Sequence, residues 1–110
     1  MSISIEKKDD YCLVKSSLDY LMGHRDELVG SIEKIKDTYH HIAIDLTDVN
    51  ALFSDDLGFL ISMFKEARDK DISFSVVNTN SSMYDLMEAT NFTLVVPVYK
   101  TIDDYAASLG

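Results

Sequence analysis

Phe53–Asp69 reads FSDDLGFLISMFKEARD, and its spacing decides the class of fold. Leu57, Leu60, Ile61, Phe64 and Ala67 fall on one stripe of a 3.6-residue period, while Lys65, Glu66 and Arg68 face away from it. Ser54 stands where an N-cap is expected, and Asp55 and Asp56 occupy the electropositive first turn. Upstream, HIAIDL (His41–Leu46) is an apolar run too short for a helix and suited to a buried strand. Downstream, Ile72–Val77 repeats that pattern. A helix bracketed by two buried-type strands predicts an α/β layer with mostly parallel pairing.

Working outward, SISIE and YCLVKSS are β-branched and aromatic runs separated by Lys7, Lys8, Asp9 and Asp10, which predicts an N-terminal β-hairpin. From about Gly23 to Tyr39, the spacing of Leu28, Ile32, Ile35 and Tyr39 predicts an amphipathic helix, with Asp26 and Glu27 in its first turn. Beyond Val77, the polar turn Asn78–Ser81 starts another helix, MYDLMEAT; Phe92–Tyr99 reads as a last extended run, and Thr101 caps a closing helix with Ile102, Tyr105, Ala106 and Leu109 on its apolar face. The prediction is a single α/β domain over residues 1–110, a mixed sheet with helices packed against it. Repeats, low-complexity tracts and linkers are lacking.

Composition narrows the functions. Ten Lys and Arg against nineteen Asp and Glu give a net charge of −9, so a nucleic-acid backbone or an anionic membrane surface is repelled. The lone Cys12 forms no internal disulfide, no Cys and His spacing builds a structural zinc site, and neither a signal peptide nor a membrane span is read in the chain, which points to the cytoplasm. A search for nucleophile and base pairs, metal clusters and phosphate loops finds no convincing catalytic constellation, no cofactor box and no metal set. Histidines 24, 40 and 41 lack a neighbouring nucleophile motif, Gly23, Gly30 and Gly58 are too dispersed to cradle a phosphate, and Met63, Met83 and Met87 sit at helix-face spacing that suits core or interface filling. What stands out is an acidic loop, Asp45, Asp48, Asp55 and Asp56, at a strand-to-helix junction, where α/β sheets place their ligands and partners. Its plain reading is that Asp55 and Asp56 complement the helix dipole.

The segments SSLD (Ser16–Asp19), IDLTDVNALFSDDLGFLISMFKEA (Ile44–Ala67), SFSVVNTNSSMYDLMEATNF and VVPVYKTIDDYAASL occur in the order and spacing of a known family. Together they resemble the STAS domains, named for sulfate transporters and anti-sigma factor antagonists, with Ser16 replacing the glycine of the family's G-x-L-D. The resemblance implies a compact mixed-sheet domain and a cytoplasmic regulatory module that binds an anti-sigma factor, a serine kinase of the histidine-kinase-like type, or another STAS protein. In antagonists of this kind, a serine at the start of the helix after the third strand is phosphorylated by the partner kinase, and the added charge disrupts the interface. Aligning Leu57 and Gly58 with the family's "LG" places Phe53 on its aspartate, Ser54 on its first serine, Asp55 on its second serine and Asp56 on its first glycine. The second serine is the usual phosphosite. Asp55 therefore implies a non-switching or phosphomimetic surface, with Ser54 as an alternative phosphosite. The expected contact surface is Phe53, Asp56, Leu57 and Gly58, with Asp19 and Asn78 nearby. Two alternatives stay open. One is a receiver-like phospho-acceptor domain using Asp45; the other is an accessory STAS subunit of a transporter.

Overall fold

A computed structural model describes residues 3–16, 25–49, 52–78 and 80–109. Strands β1 (Ile3–Lys7) and β2 (Cys12–Ser16) form an antiparallel hairpin, and β3 (His41–Asp45), β4 (Ser73–Val77) and the two-residue β5 (Val98–Tyr99) continue the sheet in parallel, in the order β1-β2-β3-β4-β5. Among the described residues four α-helices accompany them: α1 (Arg25–Glu33), α2 (Ser54–Asp69), α3 (Ser81–Ala89) and α4 (Ile102–Leu109). The mixed sheet, the hairpin and the single α/β layer are as the sequence predicts.

The strand order explains where the helices lie. Each parallel step moves one position in the same direction, and right-handed crossovers then put every connecting helix on the same face. Along β2, β3 and β4 the side chains alternate accordingly. Cys12, Val14, Ile42, Ile44, Phe74 and Val76 belong to the large core with Leu28 of α1, Leu57 and Leu60 of α2, and Met83 and Met87 of α3. Leu13, Ala43 and Val77 point the other way, into a smaller cluster under Tyr105 of α4, whose ring meets Tyr11 and Tyr99 edge-on at 5.2 and 5.5 Å. Met83 and Met87 thus fill the core, as their spacing suggests.

Three local expectations are corrected. Helix α1 stops at Glu33, eight residues after its first described residue, and the chain continues to Tyr39 through tight turns in which Ile35 N–H and Lys36 N–H both donate to Ile32 O. Ile35 remains buried and Tyr39 packs on the core, so the apolar spacing persists without a regular helix. The run Phe92–Tyr99 is not one extended segment. Asn91 adopts a left-handed φ of 63°, Phe92–Leu94 forms a 3₁₀ turn anchored by buried Phe92, and only Val98 and Tyr99 pair with β4. The third correction concerns Ser54, which is the first residue of α2 and not its cap.

Candidate functional site

The carboxyl ends of β3 and β4 close with the same device. Asp45, buried at the end of β3, accepts from the backbone N–H and the hydroxyl of Thr47; Asn78, buried at the end of β4, accepts from Asn80 N–H at 2.9 Å. A side-chain oxygen that satisfies the backbone two residues on fixes the exit direction of each loop. Asn80 then caps α3, its side chain accepting from Met83 N–H at 3.2 Å, and Thr101 caps α4 through Asp104 N–H at 3.0 Å.

Helix α2 begins differently. Phe53, in extended backbone (φ −101°, ψ 165°), occupies the cap position, and Ser54 is the first helical residue, with its side chain exposed. A phenyl ring accepts no hydrogen bond, so the reciprocal contact comes from Asp56. Its Oδ2 receives Phe53 N–H at 2.9 Å, while its Oδ1 receives Arg25 Nη2 at 2.9 Å. Asp56 is fully buried; Arg25 keeps 32% of its side chain exposed and lays its guanidinium over the Phe59 ring at 5.2 Å. This carboxylate therefore does three things: it satisfies an orphan donor at the helix start, complements the helix dipole, and ties the first residue of α1 to the first turn of α2.

The adjacent Asp55 behaves in the opposite way. It is exposed, and among the described residues its carboxylate has no hydrogen-bond or ion-pair partner. Phe53 is also exposed, at 48% of its surface, beside Ser54 and Asp55. Leu57 is buried at 8% and packs in the large core, so it supports the turn from beneath, while Gly58 is exposed. The expected contact surface thus splits by helical geometry. Phe53, Ser54, Asp55 and Gly58 face outward; Asp56 and Leu57 face inward and offer a partner no side chain. Asn78 is likewise buried, with its Oδ1 committed to the turn, and Asp19 lies outside the described residues.

The acidic loop does not converge on one point. Asp48 pairs with Lys15 at 3.7 Å, Asp45 is spent on Thr47, Asp56 on Arg25, and no group of three His, Cys, Asp or Glu among the described residues is arranged to hold a metal ion. The receiver-like alternative gains no support from this geometry. Its acceptor, Asp45, is buried and hydrogen-bonded, and Asp9 and Asp10 lie in the exposed hairpin turn instead of beside it. The role of Arg25 was not legible in the sequence, because the pair with Asp56 spans 31 positions and no local pattern announces it.

The STAS domain profile matches residues 2–105. The chain belongs to the STAS domain family. Among solved structures it is similar to an anti-sigma factor antagonist from Mycobacterium paratuberculosis, with TM-score 0.82 and 24% identity over 97% of this chain and 92% of that one. A candidate anti-sigma factor antagonist from Thermotoga maritima superposes with TM-score 0.83 at 18% identity, covering 97% and 93% of the two chains. A sulfate transporter family protein from Wolinella succinogenes gives 0.74 at 14%, covering 94% and 90%. At these identities the likeness is one of fold. No curated protein matches the chain at a significant level. Among the described residues no helix is long and apolar enough to cross a membrane.

Proposed function

We propose that this STAS domain is a non-enzymatic regulatory interaction module of the anti-sigma factor antagonist kind, whose contact surface is Phe53, Ser54, Asp55 and Gly58 at the start of α2. In this reading Asp55 supplies a permanent negative charge where the family carries a switchable hydroxyl. The observation that carries it is the pairing of opposite fates at adjacent positions: Asp56 is buried and pins the turn to Arg25, leaving Phe53 and Asp55 exposed side by side on a rigid support. An aromatic ring at the centre of an exposed polar rim is the composition of an interface anchor. The first turns of α1 and α4 add Asp26, Glu27, Asp103 and Asp104 at the same carboxyl-end edge of the sheet. The partner that fits is an anti-sigma factor, a serine kinase of the histidine-kinase-like type or a second STAS protein, presenting an apolar notch ringed by basic groups.

One carboxylate has roughly half the charge of a phosphoryl group and lacks its third oxygen. Asp55 thus resembles the phosphorylated state only in part, and the test must read both charge and identity. Wild type, Asp55→Ser and Phe53→Ala are used as baits against lysate of the source organism, and Asp55→Ser is incubated with the captured fraction and ATP. The reading expects Phe53→Ala to lose the partner. It also expects wild type and Asp55→Ser to differ in what they capture, with phosphate entering the serine variant. Identical capture by all three baits would refute it, and recovery of membrane-transport subunits would favour the transporter-accessory reading that the Wolinella similarity allows.

A further inference from the structure

We propose that the slot between α1 and α2, at the end of α2 remote from Ser54, binds a small α-amino acid with a branched apolar side chain. Ile42, Ile72 and Phe74 floor the slot, Ile32, Met63 and Ala67 wall it, and the cavity measures about 50 Å³. That is space for roughly four waters, or on the order of 120 Å³ of liquid, in surroundings that offer water few hydrogen bonds. A side chain the size of valine or leucine fills such a space.

The rim selects the other end of the ligand. Lys36 Nζ lies 2.7 Å from Glu33 Oε2 on the α1 side, and Lys70 Nζ lies 3.2 Å from Glu66 Oε1 on the α2 side. All four residues line the slot, so the two pairs place charges of both signs on each side of one mouth. Each ammonium spends one of three donors on its glutamate and keeps two for a ligand carboxylate; each glutamate keeps lone pairs for a ligand ammonium. A rim with two charges of each sign complements a zwitterion. A bare carboxylate is disfavoured by the chain's net charge of −9, and a bare amine by the two lysines at the mouth. The site is independent of the partner surface, since Ala67 lies about 20 Å along α2 from Ser54.

The test is a titration of the ¹⁵N-labelled full chain with L-leucine, 4-methylpentanoate, isoamylamine and glycine, followed by amide chemical shifts. Leucine is expected to produce saturable shifts centred on Ile42, Met63, Ala67 and Ile72, and to bind more tightly than each of the other three. Ala67→Leu, which fills the slot, is expected to weaken leucine binding at least about tenfold, the factor lost when a leucine-sized group forfeits its apolar contact. Lys36→Gln combined with Lys70→Gln changes only the rim, keeps the core intact, and is expected to weaken leucine binding as well, so it decides the matter if Ala67→Leu fails to fold. The proposal is overturned by the absence of saturable shifts with leucine, by equal binding of any of the other three probes, or by folded variants that bind leucine as wild type does.

Discussion

Replacing Asp56 by alanine should destabilise the domain far more than replacing its neighbour Asp55. Asp56 loses a charge-assisted hydrogen bond to Phe53 N–H and the pair with Arg25, both at 2.9 Å and both from a fully buried carboxylate. Deleting one partner of a buried pair costs about 3–5 kcal/mol when the other charge is left buried. Arg25, however, is 32% exposed and can re-solvate in part, which brings the expected loss to about 3 kcal/mol. With an unfolding entropy of roughly 2.1 cal/mol/K per residue, the 110-residue chain changes its melting temperature by about 4 °C per kcal/mol, so Asp56→Ala should lower it by about 13 °C. Asp55→Ala forfeits only an exposed dipole interaction of about 0.3–1 kcal/mol, or at most about 4 °C. Differential scanning calorimetry at low and at 0.5 M salt separates the two further, because the exposed term is screened and the largely buried pair much less so. A double-mutant cycle with Arg25→Met gives the coupling directly. Equal losses at the two positions, or a loss below about 1 kcal/mol at Asp56, would refute the claim that Asp56 holds the start of α2.

Other outcomes follow from single features. Asp71 closes α2 in a left-handed conformation (φ 59°), with Ile72 N–H donating to Ala67 O at 2.8 Å and Asp71 N–H to Arg68 O at 3.1 Å, so Asp71→Gly should gain about 0.5 kcal/mol in urea unfolding by removing the backbone strain. Gly30 sits inside α1, where a β-carbon would meet nothing within 4 Å, and Gly30→Ala should raise stability by about 0.5–1 kcal/mol by the same assay. Burial pushes the Tyr105 hydroxyl well above its ordinary range and, opposed only in part by Lys7, raises the Cys12 thiol as well. A folded-state pKa above the unfolded value means the folded state holds its proton longer; the stability is therefore complete below the ordinary values of about 8.5 for the thiol and 10 for the phenol and declines above them. Urea midpoints should be level up to about pH 8 and fall beyond it, and Tyr105→Phe should flatten the fall above about pH 10. The same substitution removes a buried hydroxyl without a partner among the described residues, and should be neutral or stabilising by about 1 kcal/mol at neutral pH.

The fold was legible because its determinants are local. Strands of buried type alternating with amphipathic helices imply parallel crossovers, and Leu57, Leu60 and the stripe above them define the inner face of α2 within one element. Thr101 was readable as a cap because a side-chain oxygen and its amide lie three residues apart, and the polar turn before α3 was readable as a helix start, within which the structure makes Asn80 the cap. What escaped the reading was set by distant partners. Ser54 has the chemistry of a cap, yet Asp56 satisfies Phe53 N–H from inside the helix and finds Arg25 across 31 positions, which shifts the cap by one residue. The last strand shrank for a comparable reason. Phe92 gains more by burying its ring under a 3₁₀ turn than the chain gains by extending through Leu94 and Val95, both of which remain exposed.

The two aspartates also show why alignment alone misassigns a charged pair. Read as a string, Asp55 and Asp56 are equivalent acidic residues in the first turn of a helix. A helix turns 100° per residue, so when one of two neighbours faces the core its successor or predecessor faces solvent. Leu57 and Leu60 fix which face is inside, and that choice forces Asp56 towards Arg25 and Asp55 outward. In the proposed alignment with the family pattern, a buried carboxylate, Asp56, stands on the glycine and an exposed one, Asp55, on the phosphorylatable serine. The two changes are mechanically linked. A negative charge fixed at the surface is useful to a partner only if its position is fixed as well, and the buried charge beside it provides that rigidity. Under the proposed function, Asp56→Asn should therefore weaken partner binding although residue 56 touches no partner, because the hydrogen bond to Phe53 N–H survives while the ionic tie to α1 is lost. Binding of Asp56→Asn at wild-type strength, with Asp55→Ser altered, would mean that the exposed charge acts without the support beneath it.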